Sequence, residues 1–394
     1  MLIKRQIFDD LKKQVKLPEI VVLTGMRRVG KTTLYQMIFD IVPSANKVFI
    51  DIENPIEQMI FDEKDYNNIW ANLKTYGITN SEKAYIFLDE IQEKPEIVKA
   101  IKYLYDHYNV KFFVTGSSSF YLKNLFPESL AGRKVTFELY PLDFEEFCIF
   151  KNHKIKFKKS FSDKLDNKNI ISFETTKAFY DEYIEFGGFP QVVLTEDNEH
   201  KKRQISDIFK SYFQKDVMQL ADFRNINAFR DLMLLLLQRV GSKLDISKLA
   251  SETGVSRISV YSYLSFLQGT YFINLISPIS NNVDREVSGS KKVYICDTGI
   301  INHFAKVSEG ALFENAVFLN LRKYGKTNYY QKRSGAEIDF ILSDKNIALE
   351  VKSTGSEKDY RKLKKISQKL NCKEQYIISR KFSEYSGVIP ALYL

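Results

Sequence analysis

Cysteine is scarce in this chain: there are three among 394 residues, Cys148, Cys296 and Cys372, odd in number and far apart. That excludes a disulfide framework, and the four scattered histidines complete no Cys/His pattern for a structural zinc. Long apolar stretches are missing too. No run of about eighteen apolar residues occurs, which excludes a transmembrane helix, and Met1-Leu2-Ile3-Lys4-Arg5-Gln6 lacks the apolar core of a secretory signal. A cytoplasmic protein with no membrane contact is expected. Internal repeats and low-complexity segments are also absent. What is present is positive charge, a formal net +9, which favours contact with a polyanion such as nucleic acid. A chain this long, 44 % hydrophobic, has material for two or three domains.

The strongest local signal is Gly25-Met26-Arg27-Arg28-Val29-Gly30-Lys31-Thr32, which fits the phosphate-loop pattern G-x-x-x-x-G-K-[ST] at every fixed position. Its flanks agree. Ile20-Val21-Val22-Leu23 reads as a buried strand feeding the loop, and Thr32 to Phe39, through Thr33, reads as the helix leaving it. Gly25 and Gly30 let backbone N–H groups turn inward around phosphates at a helix N-terminus. Lys31 would neutralise the phosphates of ATP and the Thr32 hydroxyl would ligate Mg²⁺. Arg27 and Arg28, inside the loop, would supply phosphate or interface contacts.

From residue 18 to 140 apolar strands alternate with amphipathic helices, which predicts a parallel sheet covered on both faces. The third strand, Tyr85 to Leu88, ends in Asp89 and Glu90. On the carboxyl edge of such a sheet Asp89 would hold Mg²⁺ through water, and Glu90 would orient and deprotonate the attacking water. The next strand ends Val114-Thr115-Gly116-Ser117-Ser118-Ser119, where Thr115 or a hydroxyl beside it would sense the γ-phosphate.

The runs GMRRVGKTTL, YIFLDEIQ, FFVTGSSS, then LAGR at Leu130 to Arg133 and PLDFEEF at Pro141 to Phe147, together resemble the AAA-type ATPase module of a widespread prokaryotic family. In that family the module is coupled to a C-terminal domain called DUF4143, and the resemblance spans essentially the whole chain. It implies a homo-oligomer in which an arginine from a neighbouring subunit completes the ATP site. Arg133 is the candidate, its alternative being an arginine that caps a loop. Phe186-Gly187-Gly188-Phe189-Pro190 resembles the motif by which lid domains of related ATPases touch the nucleotide base through a residue such as Pro190; the same residues also read as a plain helix break.

The expected architecture is α/β: a P-loop NTPase domain with an AAA-like parallel sheet over 1–150, a Lys-rich solvated linker over 151–175, a helical lid over 176–240, a winged helix over 241–285 and a restriction-endonuclease-like α/β domain over 286–394. In the winged helix, Leu244 to Ser256 carries the helix and Gly-containing turn, Arg257 to Leu267 the second helix, and Tyr271 to Ile276 a wing strand. It would touch DNA through Ser256, Arg257, Ser259 and Tyr261, or serve as a packing module.

In the last domain Asp339, ten residues, Glu350, one residue, Lys352 is the D-x(n)-E-x-K spacing of the PD-(D/E)XK nuclease fold. Two antiparallel strands would let Asp339 and Glu350 share a second Mg²⁺ or Mn²⁺, with Lys352 polarising water or phosphate. Glu314, on the helix before them, matches an additional acid of that superfamily. The preferred function is ATP hydrolysis coupled to DNA binding or cleavage. The rival is a nucleotide-dependent regulatory or defence switch whose C-terminal domain binds a partner.

Overall fold

The structure is a computed structural model that describes residues 2–117, 132–218, 223, 225–279, 289–332 and 335–394. The chain divides into two compact units. The first comprises residues 1–140 together with Gln214–Val217 and Gly269–Tyr271; the second comprises the remainder from Pro141 onward.

The first unit is built on a five-stranded parallel sheet: β1 (Ile20–Thr24), β2 (Lys47–Asp51), β3 (Ala84–Asp89), β4 (Val110–Gly116) and β5 (Lys134–Glu138), in the order β2-β3-β4-β1-β5. β1 is buried along its whole length, as expected of a central strand with helices on both faces. One face is closed by an aliphatic cluster around Ile50, Ile86, Ile101 and Val114. On the other face Tyr35 stands edge-on to Phe87 and Phe113, whose rings stack 4.5 Å apart. Tyr35 lies on α1 (Lys31–Ile41), so this packing seats the helix whose N-terminus carries the loop.

The second unit begins with helices. The stretch expected to be a solvated linker is folded: α2 (Phe161–Asp166) and the start of α3 (Ile170–Phe186) lie within it. Its lysines obscured the aromatic anchor, because Phe161 is buried against Tyr324 and Tyr376 while Lys164 extends its stem to donate to the Tyr393 carbonyl at 2.7 Å. The stretch expected to be a winged helix holds α4 (Ile246–Thr253), a left-handed Gly254, and α5 (Arg257–Gly269). The strand β6 (Ile273–Ile276) starts after Tyr271 and pairs antiparallel with β7 (Lys292–Ile295), which lies beyond the expected boundary at 285.

A second, mixed five-stranded sheet follows: β8 (Thr327–Gln331), β9 (Glu337–Leu342), β10 (Ile347–Lys352), β11 (Glu374–Ser379) and β12 (Val388–Pro390), in sequential order. β9 pairs antiparallel with β8 and β10, whereas β10-β11 and β11-β12 are parallel. α6 (Glu309–Leu321) packs on this sheet and is buried at every position from Asn315 to Leu321. Its two buried asparagines are satisfied: Asn315 accepts from Ile295 N at 2.8 Å, and Asn320 from Phe144 N at 2.7 Å.

Candidate functional site

The loop between β1 and α1 demands glycine at both ends. Gly25 has φ 154°, and a Cβ there would lie 2.0 Å from the Leu139 carbonyl oxygen. Gly30 has φ 96° and caps α1, so the free N–H groups of the helix start face the loop. Arg28, at φ 65°, and the following Thr32 and Thr33 are exposed, whereas Lys31 is buried. The Lys31 ammonium donates to the carbonyls of Gly25 at 2.9 Å and Met26 at 3.3 Å, and lies 3.4 Å from Glu90. Arg5 braces the loop from outside by donating to the Val29 carbonyl at 2.8 Å.

The sheet brings Asp89 to this loop. Thr32 Oγ1 donates to Asp89 Oδ2 at 2.6 Å, and the Thr115 hydroxyl donates to the other carboxylate oxygen. These oxygens are the hard ligands that Mg²⁺ takes, so the residues present fit that ion. Burial raises the Asp89 carboxyl, against the hydrogen bonds from Thr115 and Thr32. Glu90 has φ 53°, a left-handed conformation that costs a non-glycine residue roughly 1–2 kcal/mol. Its N–H donates to Thr115 Oγ1 at 3.0 Å, and Gln92 donates to its carboxylate. Burial opposes the charge on Glu90, but Lys31 and Arg27 outweigh it and hold the carboxyl below its ordinary range.

Arg27 turns inward to Glu53 at 3.0 Å, Glu93 at 3.2 Å and Asp216 at 3.2 Å. Arg133 precedes β5 at the amino edge of the sheet, opposite the loop, and makes a two-pronged bond with Asp106 at 2.7 and 2.8 Å. Ser118, Ser119, Leu130 and Ala131 lie outside the described residues. The Gly187-Gly188 pair breaks α3 within the second unit. A Cβ on Gly187 would strike Asp297, one on Gly188 would strike the Leu142 carbonyl, and Pro190 opens the next helix, Pro190–Leu194.

In the second unit, β9 and β10 pair with Leu349 opposite Phe340, which sets Asp339 beside the Glu350 end of its partner strand. Asp339 Oδ2 accepts from Val351 N at 2.8 Å, and Lys352 donates to Glu350 Oε1 at 2.7 Å. Glu350 Oε2 is buried without a hydrogen-bond partner, an acceptor suited to a cation. Glu314 accepts from the Tyr294 hydroxyl at 2.6 Å. Burial and then the Asp339 charge push Glu314 up to about 7 and Glu350 up to about 6. The acids therefore share one electrostatic environment. Among the described residues, however, no three carboxylate, histidine or cysteine side chains form a metal-ligating group. Besides Lys352, a second ammonium lies among the acids: Lys292, 2.8 Å from Glu337 and 3.6 Å from Glu314. Alternation along the strand places Glu337 on the face of Asp339, but nothing in the sequence marked Lys292, Tyr294 or Asp216, because each reaches its partners only through tertiary pairing.

Among the described residues no helix is long and apolar enough to cross a membrane. The chain matches the AAA domain model AAA_14 over residues 17–148, a domain of unknown function, DUF8612, over 177–311, and another, DUF4143, over 309–392. It is similar to uncharacterized protein MJ1544 of Methanocaldococcus jannaschii, 30% identical over 88% of this chain and 78% of that protein. An uncharacterized protein of Haemophilus influenzae is 26% identical over 82% of this chain and 79% of its own length. Among solved structures, AMPPCP-bound DnaA from Aquifex aeolicus is 14% identical with a TM-score of 0.31, covering 68% of this chain and 89% of that one. This chain, an AAA-type ATPase domain followed by DUF8612 and DUF4143 domains, belongs to the family of the archaeal protein MJ1544.

Proposed function

We propose that the protein binds and hydrolyses ATP at the loop from Gly25 to Thr32 and couples that reaction to work on DNA by its C-terminal domain. The observation that carries the first part is the constellation of buried Lys31, Asp89, Glu90 and Thr115 with the exposed Thr32 at its mouth. In it, Lys31 and the loop N–H groups bind phosphate, with Gly25 and Gly30 permitting the approach and Arg28 and Thr33 flanking it. Thr32 and Asp89 hold Mg²⁺, which supplies charge neutralisation at the transferring phosphate. Glu90, kept ionised beside Lys31, accepts the proton of the attacking water, and Gln92 fixes its orientation. Thr115 donates to the Asp89 carboxylate and accepts from the Glu90 backbone N–H, so it fixes the backbone at the end of β3 from which both acids project.

Ligand bound only by the native state raises the melting temperature, by about 2.7 kcal/mol of stability at a hundredfold excess over Kd. ATP with Mg²⁺ is expected to give that shift in the wild type and none in Lys31→Ala. Glu90→Gln is expected to keep the shift and to lose roughly 10²- to 10⁴-fold in turnover. Equal shifts in wild type and Lys31→Ala would refute the assignment of the loop.

For the C-terminal domain the proposal is a PD-(D/E)XK-like site in which Asp339, Glu350 and Glu314 take a divalent cation and Lys352 polarises the reacting phosphate or water. Lys292 favours a second reading. An ammonium already placed among the acids makes them a structural charge network, and the chain a nucleotide-dependent switch that binds a partner.

A further inference from the structure

Two short excursions from the second half of the chain pack with the ATPase unit, Gln214–Val217 and Gly269–Tyr271, and both end on the phosphate loop. Tyr271 meets the hydroxyl of Thr24, the residue before Gly25, and donates to Glu138 at 3.2 Å. Asp216, only 1% exposed, sits in a π-helical turn, Tyr212–Met218, and reaches the loop itself. Its Oδ2 lies 3.2 Å from Arg27 Nε, and its Oδ1 accepts from Ser117 Oγ at 2.7 Å. Each contact leads onward to Glu90. Ser117 donates its N–H to Gln92 Oε1 at 3.3 Å, and Gln92 in turn donates to Glu90, while the Arg27 charge acts on Glu90 directly.

Charge neutralisation does not explain this carboxylate. Arg27 already has Glu53 and Glu93 on its more exposed side, and a third, fully buried carboxylate on one guanidinium is costly to desolvate. What Asp216 adds is position, since it ties the loop arginine to the end of β4, the strand beside the base. Without its charge the Arg27 field falls more fully on Glu90, making that carboxylate a weaker base, and Ser117 loses its acceptor.

We propose that Asp216 is a positioning residue for ATP hydrolysis, holding Arg27 and Ser117 so that Glu90 is aligned on the attacking water. This rests on the reading of the loop as an ATPase site.

The test uses the full chain, fluorescent mant-ATP for binding and phosphate release for turnover. Asp216→Asn is expected to bind mant-ATP within about threefold of wild type and to lose at least tenfold in kcat, the split of a group that acts on the transition state rather than on binding. Ser117→Ala, a milder change that preserves the fold if Asp216→Asn does not, is expected to lower kcat in the same sense. Combined with Asp216→Asn it should add little, because both act through one network. Wild-type kcat in the Asp216→Asn and Ser117→Ala variants, or a loss of mant-ATP affinity that matches the loss in turnover, would overturn the proposal. A wild-type chain that fails to bind mant-ATP would overturn the ATP reading instead.

Discussion

A buried ammonium and a divalent cation compete for the same negative charge, and in the C-terminal domain the ammonium is Lys292. It lies 2.8 Å from Glu337 and 3.6 Å from Glu314, and its charge opposes the burial that raises the Glu314 carboxyl. Lys292→Met keeps the length of the side chain and removes its charge. By isothermal titration this variant is expected to bind Mn²⁺ at least tenfold more tightly than wild type, and Asp339→Asn to abolish that binding. Affinity should climb as the pH rises from 6 to 8, because Glu350 and Glu314, pushed up to about 6 and about 7, must shed protons before they ligate. In the nuclease reading, Lys352→Ala then loses Mn²⁺-dependent cleavage of plasmid DNA while keeping the metal. Mn²⁺ binding that ignores Lys292 and Asp339 would assign the acids to a structural network.

At the scale of elements, the proposal of work on DNA is tested on α5. Its buried side, Val260, Tyr263, Leu264 and Leu267, closes the core, and its opposite side exposes Arg257, Ile258 and Tyr261. Ile258 is 81% exposed. If α5 lies in a groove, Arg257→Glu should weaken binding to a labelled duplex in fluorescence anisotropy and lower the slope of log K against log salt by about one. Unchanged affinity and slope would make the helix a packing module. The two strands of the acid site were legible because a hairpin is local: the turn between β9 and β10 sets a register that places Asp339 near Glu350. The linker expected over 151–175 was misread because charge density masks a single aromatic anchor such as Phe161, whose burial depends on Tyr324 and Tyr376 far along the chain.

At the scale of the whole molecule the open question is assembly. Arg133, paired with Asp106 and lying away from the loop of its own chain, can act on ATP only by reaching a neighbouring subunit. In that arrangement turnover per subunit rises with protein concentration, and Arg133→Ala binds ATP normally yet loses about a thousandfold in rate. Mixing Arg133→Ala with Lys31→Ala should restore part of the activity, because each chain lends the other an intact half-site. A mixture no more active than its components would leave Arg133 its structural role with Asp106.

The sequence by itself determined the phosphate loop, the strand-ending carboxylates Asp89 and Glu90, and the parallel sheet that joins them. Phosphate is bound by contiguous backbone N–H groups and an adjacent lysine, and strands announce themselves by local apolar runs, so this information is confined to short windows. Only the tertiary structure decided where the charges go. Arg27 pairs with Asp216, Glu53 and Glu93, and Lys292 enters the acid cluster, because a long flexible side chain takes its partner from whatever the fold brings within about 4 Å, and no spacing along the chain encodes that distance.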